Sequence, residues 1–292
     1  MTTTGTPAPP PRILCRAATP ADGAGIVDLL GAGFPDRPRA YWERGIDRLG
    51  RHAARMPVPT LGQVIEADGR LVGVLLMIHA VDPAGQGGRC NVSSWYVDPA
   101  FRGYAALLLT RGSRDRSATY YNISPATHTR PIIEAQGFRR YGTGRFWSAP
   151  WTGRPRRIRV ERLAAGDVDA RGLPEAERTL VADHLAWGCI AVSADGGEGP
   201  EPFVFLPRLT KGVVPSAQLV YCRDIARFVA AAGPIGRWLL RRGYPSVAID
   251  ADGPVPGLAG LFSTDQVPKY FKGPAPPRLG DMSYSELVMF GP

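Results

Sequence analysis

The sequence predicts an α/β chain built of two similar domains, and three observations carry that prediction. Short apolar runs of strand length alternate with amphipathic stretches of helical period. The 35 glycines and 29 prolines are spread along the chain, which sets many turns between short elements. The same order of elements then returns about 140 residues later. A length of 292 residues is enough for two cores of ordinary size, and 44% hydrophobic with 21% charged residues is a globular composition.

Residues 1–11, Pro- and Thr-rich without an apolar run, read as a disordered tail and not as a secretory signal. A strand follows at 12–17. Thr19-Pro20-Ala21-Asp22 starts a helix: Thr19 can cap it, Pro20 fits the first helical position, and Asp22 faces the positive end of the dipole. Ile26, Leu29 and Leu30 give that helix its apolar face, and a second helix spans 39–52. Asp68-Gly69 between two apolar runs is a hairpin signal. The second run, 71–81, is apolar nearly throughout, as a central strand should be. A Gly-rich loop at 83–88 leads to a strand at 90–97, a helix at 101–110 and a strand at 118–123. A short helix at 130–136 ends on Gly137, and a strand spans 139–147. These elements define a first domain at 12–150.

The basic stretch 151–157 reads as a linker to a second domain at 158–292. There the pattern gives strands at 158–163, 189–193, 203–206, 218–222, 244–250 and 285–290, and a helical turn at 265–271. Helices are expected at 174–187 and 223–241, the second kinked or broken at Pro234.

A net charge of +9, carried mainly by Arg, suits anionic partners: phosphates, acidic glycans, a membrane surface or nucleic acid. A solvated Arg-rich surface explains the same charge. Nucleic acid is the weakest of these readings, because no aromatic-basic interleaving or helix-turn-helix pattern accompanies the charge. No stretch approaches the roughly 20 apolar residues of a membrane span. Cys15, Cys90, Cys189 and Cys222 have no paired spacing, and His52, His79, His128 and His184 have no ligand spacing. Buried thiols in a reducing cytoplasm and no metal site are therefore expected.

Two motifs carry chemistry: Val97-Asp98-Pro99-Ala100-Phe101-Arg102-Gly103, and Glu134-Ala135-Gln136-Gly137-Phe138. With the element order of 12–150 they resemble the GNAT superfamily of acyl-CoA-dependent N-acyltransferases. The second half is similar to a degenerate copy of the same fold. The resemblance implies two tandem GNAT-like domains, each a mixed, mostly antiparallel twisted sheet flanked by helices. It also implies acetyl-CoA or another acyl-CoA as co-substrate. In that family a bulged central strand splays from its neighbour, the CoA pantetheine threads the gap, and backbone amides of the following loop wrap the pyrophosphate. A helix N-terminus is a sound anion site on physical grounds as well.

The family's loop pattern is Gln/Arg-x-x-Gly-x-Gly/Ala. Arg102 matches its first position, Ala105 replaces the first required glycine, and Leu107, in place of a second small residue, narrows the space for a phosphate. Ala105 costs little if its φ stays negative. The implied cofactor contacts are Tyr96, Val97, Arg102, Gly103, Tyr104, Ala105 and Asn122, with the backbone N–H of Tyr96 or Val97 polarising the thioester carbonyl. Arg111, Arg114 and Arg116 suit the 3′-phosphate, or a solvated surface. Many members place a tyrosine acid on the helix before Gly-Phe; here Ile133 holds that position.

Candidate catalytic groups are therefore His128, Ser124 and Tyr141. His128 has the pKa range of a general base, and also suits a surface or capping histidine. Ser124 precedes Pro125 and fits a loop turn equally. Asn122 can bond the pantetheine amide or close an Asx turn. No cofactor is expected in the second half, where Tyr221-Cys222-Arg223-Asp224 lacks an Arg-Gly pair. Two functions follow from the resemblance. One is an acyltransferase, in the first place an acetyltransferase, acting on an amine or hydroxyl of a small molecule or glycan. The other is a non-catalytic tandem module that binds an acyl-CoA, a glycan or a protein.

Overall fold

The computed structural model describes residues 10–81, 87–166, 168–169, 172–210 and 212–291. Most of the expected tail and most of the expected loop at 83–88 lie outside the described residues. The chain forms two compact units, Met1–Ile78 with Val92–Arg114 and His79–Asn91 with Asp115–Pro292. Two seven-stranded mixed sheets run through it, in the orders β1-β2-β3-β4-β5-β14-β6 and β13-β7-β12-β11-β10-β9-β8. Their strands are β1 (Ile13–Ala18), β2 (Gly62–Ala67), β3 (Arg70–Val81), β4 (Gly88–Val97), β5 (Thr119–Asn122), β6 (Arg139–Gly142) and β7 (Gly144–Ser148). The series continues with β8 (Arg159–Leu163), β9 (Ile190–Asp195), β10 (Pro200–Thr210), β11 (Val214–Tyr221), β12 (Val247–Ala251), β13 (Gly260–Ser263) and β14 (Lys269–Lys272).

The first unit follows the sequence reading closely. α1 (Gly23–Gly33) buries Ile26, Val27, Leu29 and Leu30, and α2 (Arg39–Ala53) buries Trp42, Ile46 and Leu49. Asp22 closes the entry to α1: it accepts from the Thr19 N–H at 2.7 Å and from Arg16 at 2.7 Å, so one carboxylate fixes both turn and strand. Asp68 and Gly69 take φ of 48° and 82°, the pair of positive angles a two-residue hairpin turn needs. β2 pairs antiparallel with β1 and β3 across a wholly buried set that includes Val64, Ile65, Val74 and Leu75. The helix expected from 101 begins as 3-10 turns, Pro99–Tyr104, and becomes α3 only at Ala105–Gly112. The cause is local. Asp98 accepts from the Ala100 N–H with its side chain and from the Phe101 N–H with its carbonyl, which tightens the first turn.

The second unit departs from expectation in several places. The strand expected at 139–147 breaks at Thr143, whose N–H and hydroxyl both donate to Asp252 Oδ1. Beyond that break β7 pairs antiparallel with β12 and β13. The turn expected at 265–271 contains β14, which inserts antiparallel between β5 and β6. Each sheet thus draws one strand from the other half of the sequence. The strand expected at 285–290 is α7 (Glu286–Met289), with Ser285 at its N-cap position but making no side-chain cap hydrogen bond.

The remaining helices are α4 (Arg130–Ala135), α5 (Glu175–Ala186) and α6 (Ile225–Leu240). α6 passes through Pro234 unbroken. Its buried face lies against the backbone at 150–154, and that packing outweighs the roughly 3 kcal/mol a mid-helix proline costs. A core of Phe146, Phe203, Phe205, Phe228, Ile235 and Ile249 fills the space between α6 and the second sheet.

Candidate functional site

Each half contains the same local device, a disturbed strand followed four residues later by an aspartate that caps the next turn. In β4 the disturbance is Ser94, at φ 42°. Successive side chains of a regular strand point to opposite faces, yet the Ser93 and Ser94 hydroxyls lie 3.1 Å apart, so the chain folds on itself there. In β11 Phe205 faces Leu219 while Val204 faces Tyr221, which leaves Val220 as an extra residue, a β-bulge. Asp98 then accepts from the Ala100 N–H at 3.0 Å, and Asp224 from the Ala226 N–H at 2.7 Å. The two central strands also make the parallel pairs of their sheets: Arg89–Asn91 with Thr119–Tyr121, and Ala217–Gln218 with Val247–Ala248.

The loop after β4 is open at its surface. Arg102, Gly103 and Tyr104 are exposed, and Leu107 is 46% exposed. Ala105 keeps a negative φ of −53°. A Cβ added at Gly103 would meet nothing within 4 Å, so glycine here leaves bare backbone without relieving a clash. Tyr96 packs its ring on Gly33 and on Phe34, 6.2 Å away between ring centroids. Val97 is buried.

The other candidates lie in the second unit. The Asn122 carboxamide accepts from the Ser124 N–H at 3.1 Å, closing an Asx turn at the end of β5. Ser124 donates its hydroxyl to Glu286 at the start of α7. Buried Asn91 accepts from the Glu286 N–H at 2.7 Å and donates to the Tyr121 carbonyl at 3.1 Å. That one carboxamide ties β4, β5 and α7 together. His128 is exposed in a 3-10 turn, Thr127–Thr129, and Ile133 is buried in α4.

Tyr141 lines a cavity of about 410 Å³ shared with Asp250, Asp252 and Lys269, and burial pushes its phenol far above the usual range. Ser124 and His128 are not among the residues that line this cavity. Sequence reasoning missed Glu286. The available signal was Ser285-Glu286, a capping residue followed by an acid in the first turn, but the apolar run after it resembles a strand.

In the second half the bulge is occupied. Val220 accepts from the Met282 N–H at 2.8 Å, and the Cys222 N–H donates to the Gly280 carbonyl at 3.1 Å. Gly280 has φ 82°, and a Cβ there would lie 2.6 Å from Cys222 Sγ, so only glycine lets the segment approach. The segment is anchored by Asp281, wholly buried between Arg89 at 2.6 Å and Arg278 at 2.9 Å, with the Ser283 hydroxyl at 2.7 Å. Burial pushes the Asp281 carboxyl up, but Arg89, Ser283 and Arg278 outweigh it and hold the pKa below the ordinary value. Among the described residues no group of three or more His, Cys, Asp or Glu side chains could hold a metal ion, and no helix is long and apolar enough to cross a membrane.

Bulged strand, capped loop and helix, repeated in two mixed sheets, define the fold of the GCN5-related N-acetyltransferases, and this chain has that fold. Solved structures agree. A GCN5-related N-acetyltransferase from Anabaena variabilis aligns over 89% of this chain and 72% of its own, at 11% identity and a TM-score of 0.58. Eis1 from Mycobacterium abscessus aligns over 92% and 74%, at 13% identity and a TM-score of 0.53. The GCN5-related glucosamine N-acetyltransferase region of a fungal multi-domain GH3 β-N-acetylglucosaminidase aligns over 91% of this chain and 38% of that one, at 11% identity and a TM-score of 0.50. No family model and no curated protein matches the sequence.

Proposed function

We propose that the chain is an acyl-CoA-dependent acyltransferase that uses its first half to bind acetyl-CoA and acetylates an amine of a small molecule or amino sugar. The observation that carries this reading is the comparison of the two bulges. In the second half the bulge holds an extended amide segment through the Val220 carbonyl and the Cys222 N–H. By the spacing to Asp98 and Asp224, the corresponding groups in the first half are the Ser94 carbonyl and the Tyr96 N–H. The amides of a pantetheine chain have the same chemistry as that segment. The exposed loop at Arg102 and Gly103 then suits the pyrophosphate: Arg102 supplies charge, and Gly103 leaves its backbone bare.

In this reading the acceptor nitrogen attacks the thioester carbon directly, and orienting the two reactants supplies much of the rate. The N–H of Val97 steadies the developing oxyanion. The ammonium proton leaves to water, and the thiolate takes a proton from water. Buried Ile133 supports this last assignment, since it offers no acid.

Calorimetry with acetyl-CoA tests the binding, and thiol release in the presence of glucosamine and simple amines tests the transfer. One acetyl-CoA per chain is expected, with affinity lowered at least about tenfold in Arg102→Glu. The absence of binding at millimolar acetyl-CoA refutes the proposal. The same buried Ile133 favours a second reading, a binding module without turnover. Saturable acetyl-CoA binding with no thiol release above the spontaneous rate would select it.

A further inference from the structure

The cavity that Tyr141 lines is in the size range of small-molecule sites, and nothing in the acyltransferase reading uses it. Leu219, Phe271, Pro277 and Met282 give it apolar walls. Lys269 lines it too, with a side chain only 5% exposed. An ammonium carries three donors and is costly to bury unless they are met. Among the described residues its one partner is Asp250 Oδ2, at 3.3 Å. Asp250 does not need it: Arg145 donates to Oδ1 at 2.7 Å, and Gln218 to Oδ2 at 3.0 Å. Lys269 is thus a buried cation with donors to spare, set in the wall of a cavity.

The charges around the cavity carry the same sign. Arg145 and Lys269 share Asp250, and Arg208 reaches it only through the Gln218 carboxamide, to which it donates at 2.6 Å. Arg89 and Arg278 share Asp281. Asp252 is exposed and accepts from Thr143. Five cations therefore stand against three carboxylates. Arg140 is outside this count, because it engages Tyr270 and Glu134 on the opposite face of the sheet. Burial and then Arg145 lower the Arg208 pKa, and Asp250 offsets them only in part. Tyr141 adds no negative charge, since burial keeps its phenol protonated, and its buried hydroxyl has no partner among the described residues. A positive surplus and an unspent ammonium among apolar walls select an anion with an apolar body. We infer that this cavity binds a small apolar monocarboxylic acid. Its carboxylate accepts from the Lys269 ammonium, and its body lies against Phe271 and Leu219.

Calorimetry on the full chain with 3-phenylpropionate as probe tests this, with 3-phenylpropanamide and 3-phenylpropylamine as neutral and cationic counterparts of similar shape. Saturable binding of the acid is expected, weaker by about tenfold for the amide and by more for the amine. Lys269→Met keeps the stem and leaves Asp250 with Arg145 and Gln218, so the fold should survive, as circular dichroism reports. It should weaken the acid by about tenfold and bring it level with the amide. No saturable binding of 3-phenylpropionate at millimolar concentration overturns the inference. So does an amide or amine that binds as tightly as the acid, and so does a folded Lys269→Met that binds the acid like the parent. The ligand series on the parent chain decides the matter if Lys269→Met does not fold. None of these outcomes depends on acetyl-CoA, so the acyltransferase proposal stands or falls separately.

Discussion

Replacing Arg89 by methionine should destabilise the second unit by about 3 kcal/mol. Its guanidinium donates to Asp281 at 2.6 Å, and the two side chains are 8% and 0% exposed. Removing one member of a buried pair leaves the other uncompensated, which costs roughly 3–5 kcal/mol. The lower end applies here, because Asp281 keeps Arg278 and the Ser283 hydroxyl and N–H. Arg89 also stacks over the Tyr121 ring at 5.3 Å, a contact that methionine retains in part. Urea unfolding followed by near-ultraviolet circular dichroism measures the loss, which by size scaling is roughly a 6–12 °C fall in Tm. The double variant Arg89→Met, Asp281→Leu should recover part of it, since neither charge is then left alone. A loss under about 1 kcal/mol in the single variant refutes the reasoning. So does a double variant as unstable as the sum of the two singles, because the ion pair would then not be what anchors the segment 278–283.

Three further outcomes are expected. Arg16 and then burial and Thr19 set the Asp22 carboxyl, with the net result about 2 against an ordinary 3.8. A depressed acid stabilises the fold fully above its unfolded value, so this contribution is lost as pH falls from about 4 to 2. Urea midpoints should drop over that window in the parent and less in Asp22→Asn. Gly280→Val, which meets both φ 82° and the Cys222 sulfur, should destabilise by roughly 2 kcal/mol or more, against almost nothing for Gly103→Ala; thermal unfolding of the pair decides it. Burial raises the thiol pKa of Cys90 and Cys222 far out of the reactive range, while Cys15 is half-buried. Iodoacetamide at pH 8 should therefore label Cys15 first, as read by peptide mass.

What was legible in the sequence is what depends on near neighbours. The Thr19–Asp22 entry to α1, the Asp68-Gly69 turn and the Gly137 helix end all arise within a few residues, and the structure has each of them. β14 was illegible because its partners, Tyr120–Asn122 and Arg139–Gly142, lie well over a hundred residues upstream. The break at Thr143 was hidden for the same reason, since it is made by Asp252, 109 positions away. At the candidate site the loop at Arg102 was readable as a motif. The partnership of Ser124, Asn91 and Glu286 was not, because it joins residues 162 and 195 positions apart.

The insertion of β14 between β5 and β6 sets a constraint on the order in which the chain can fold. During synthesis β5 and β6 emerge with no strand between them, and the edges they present stay unpaired until residue 272 has left the ribosome. The ribosome adds about 5–20 residues per second, so that interval lasts roughly 6–26 seconds. Through it both strands need shielding from other chains. Completion of this sheet is then a late, long-range event, and loop closure of that length is slow. A sequence rearranged so that 269–272 preceded 119–122 would remove the wait, and with it a window for misassembly.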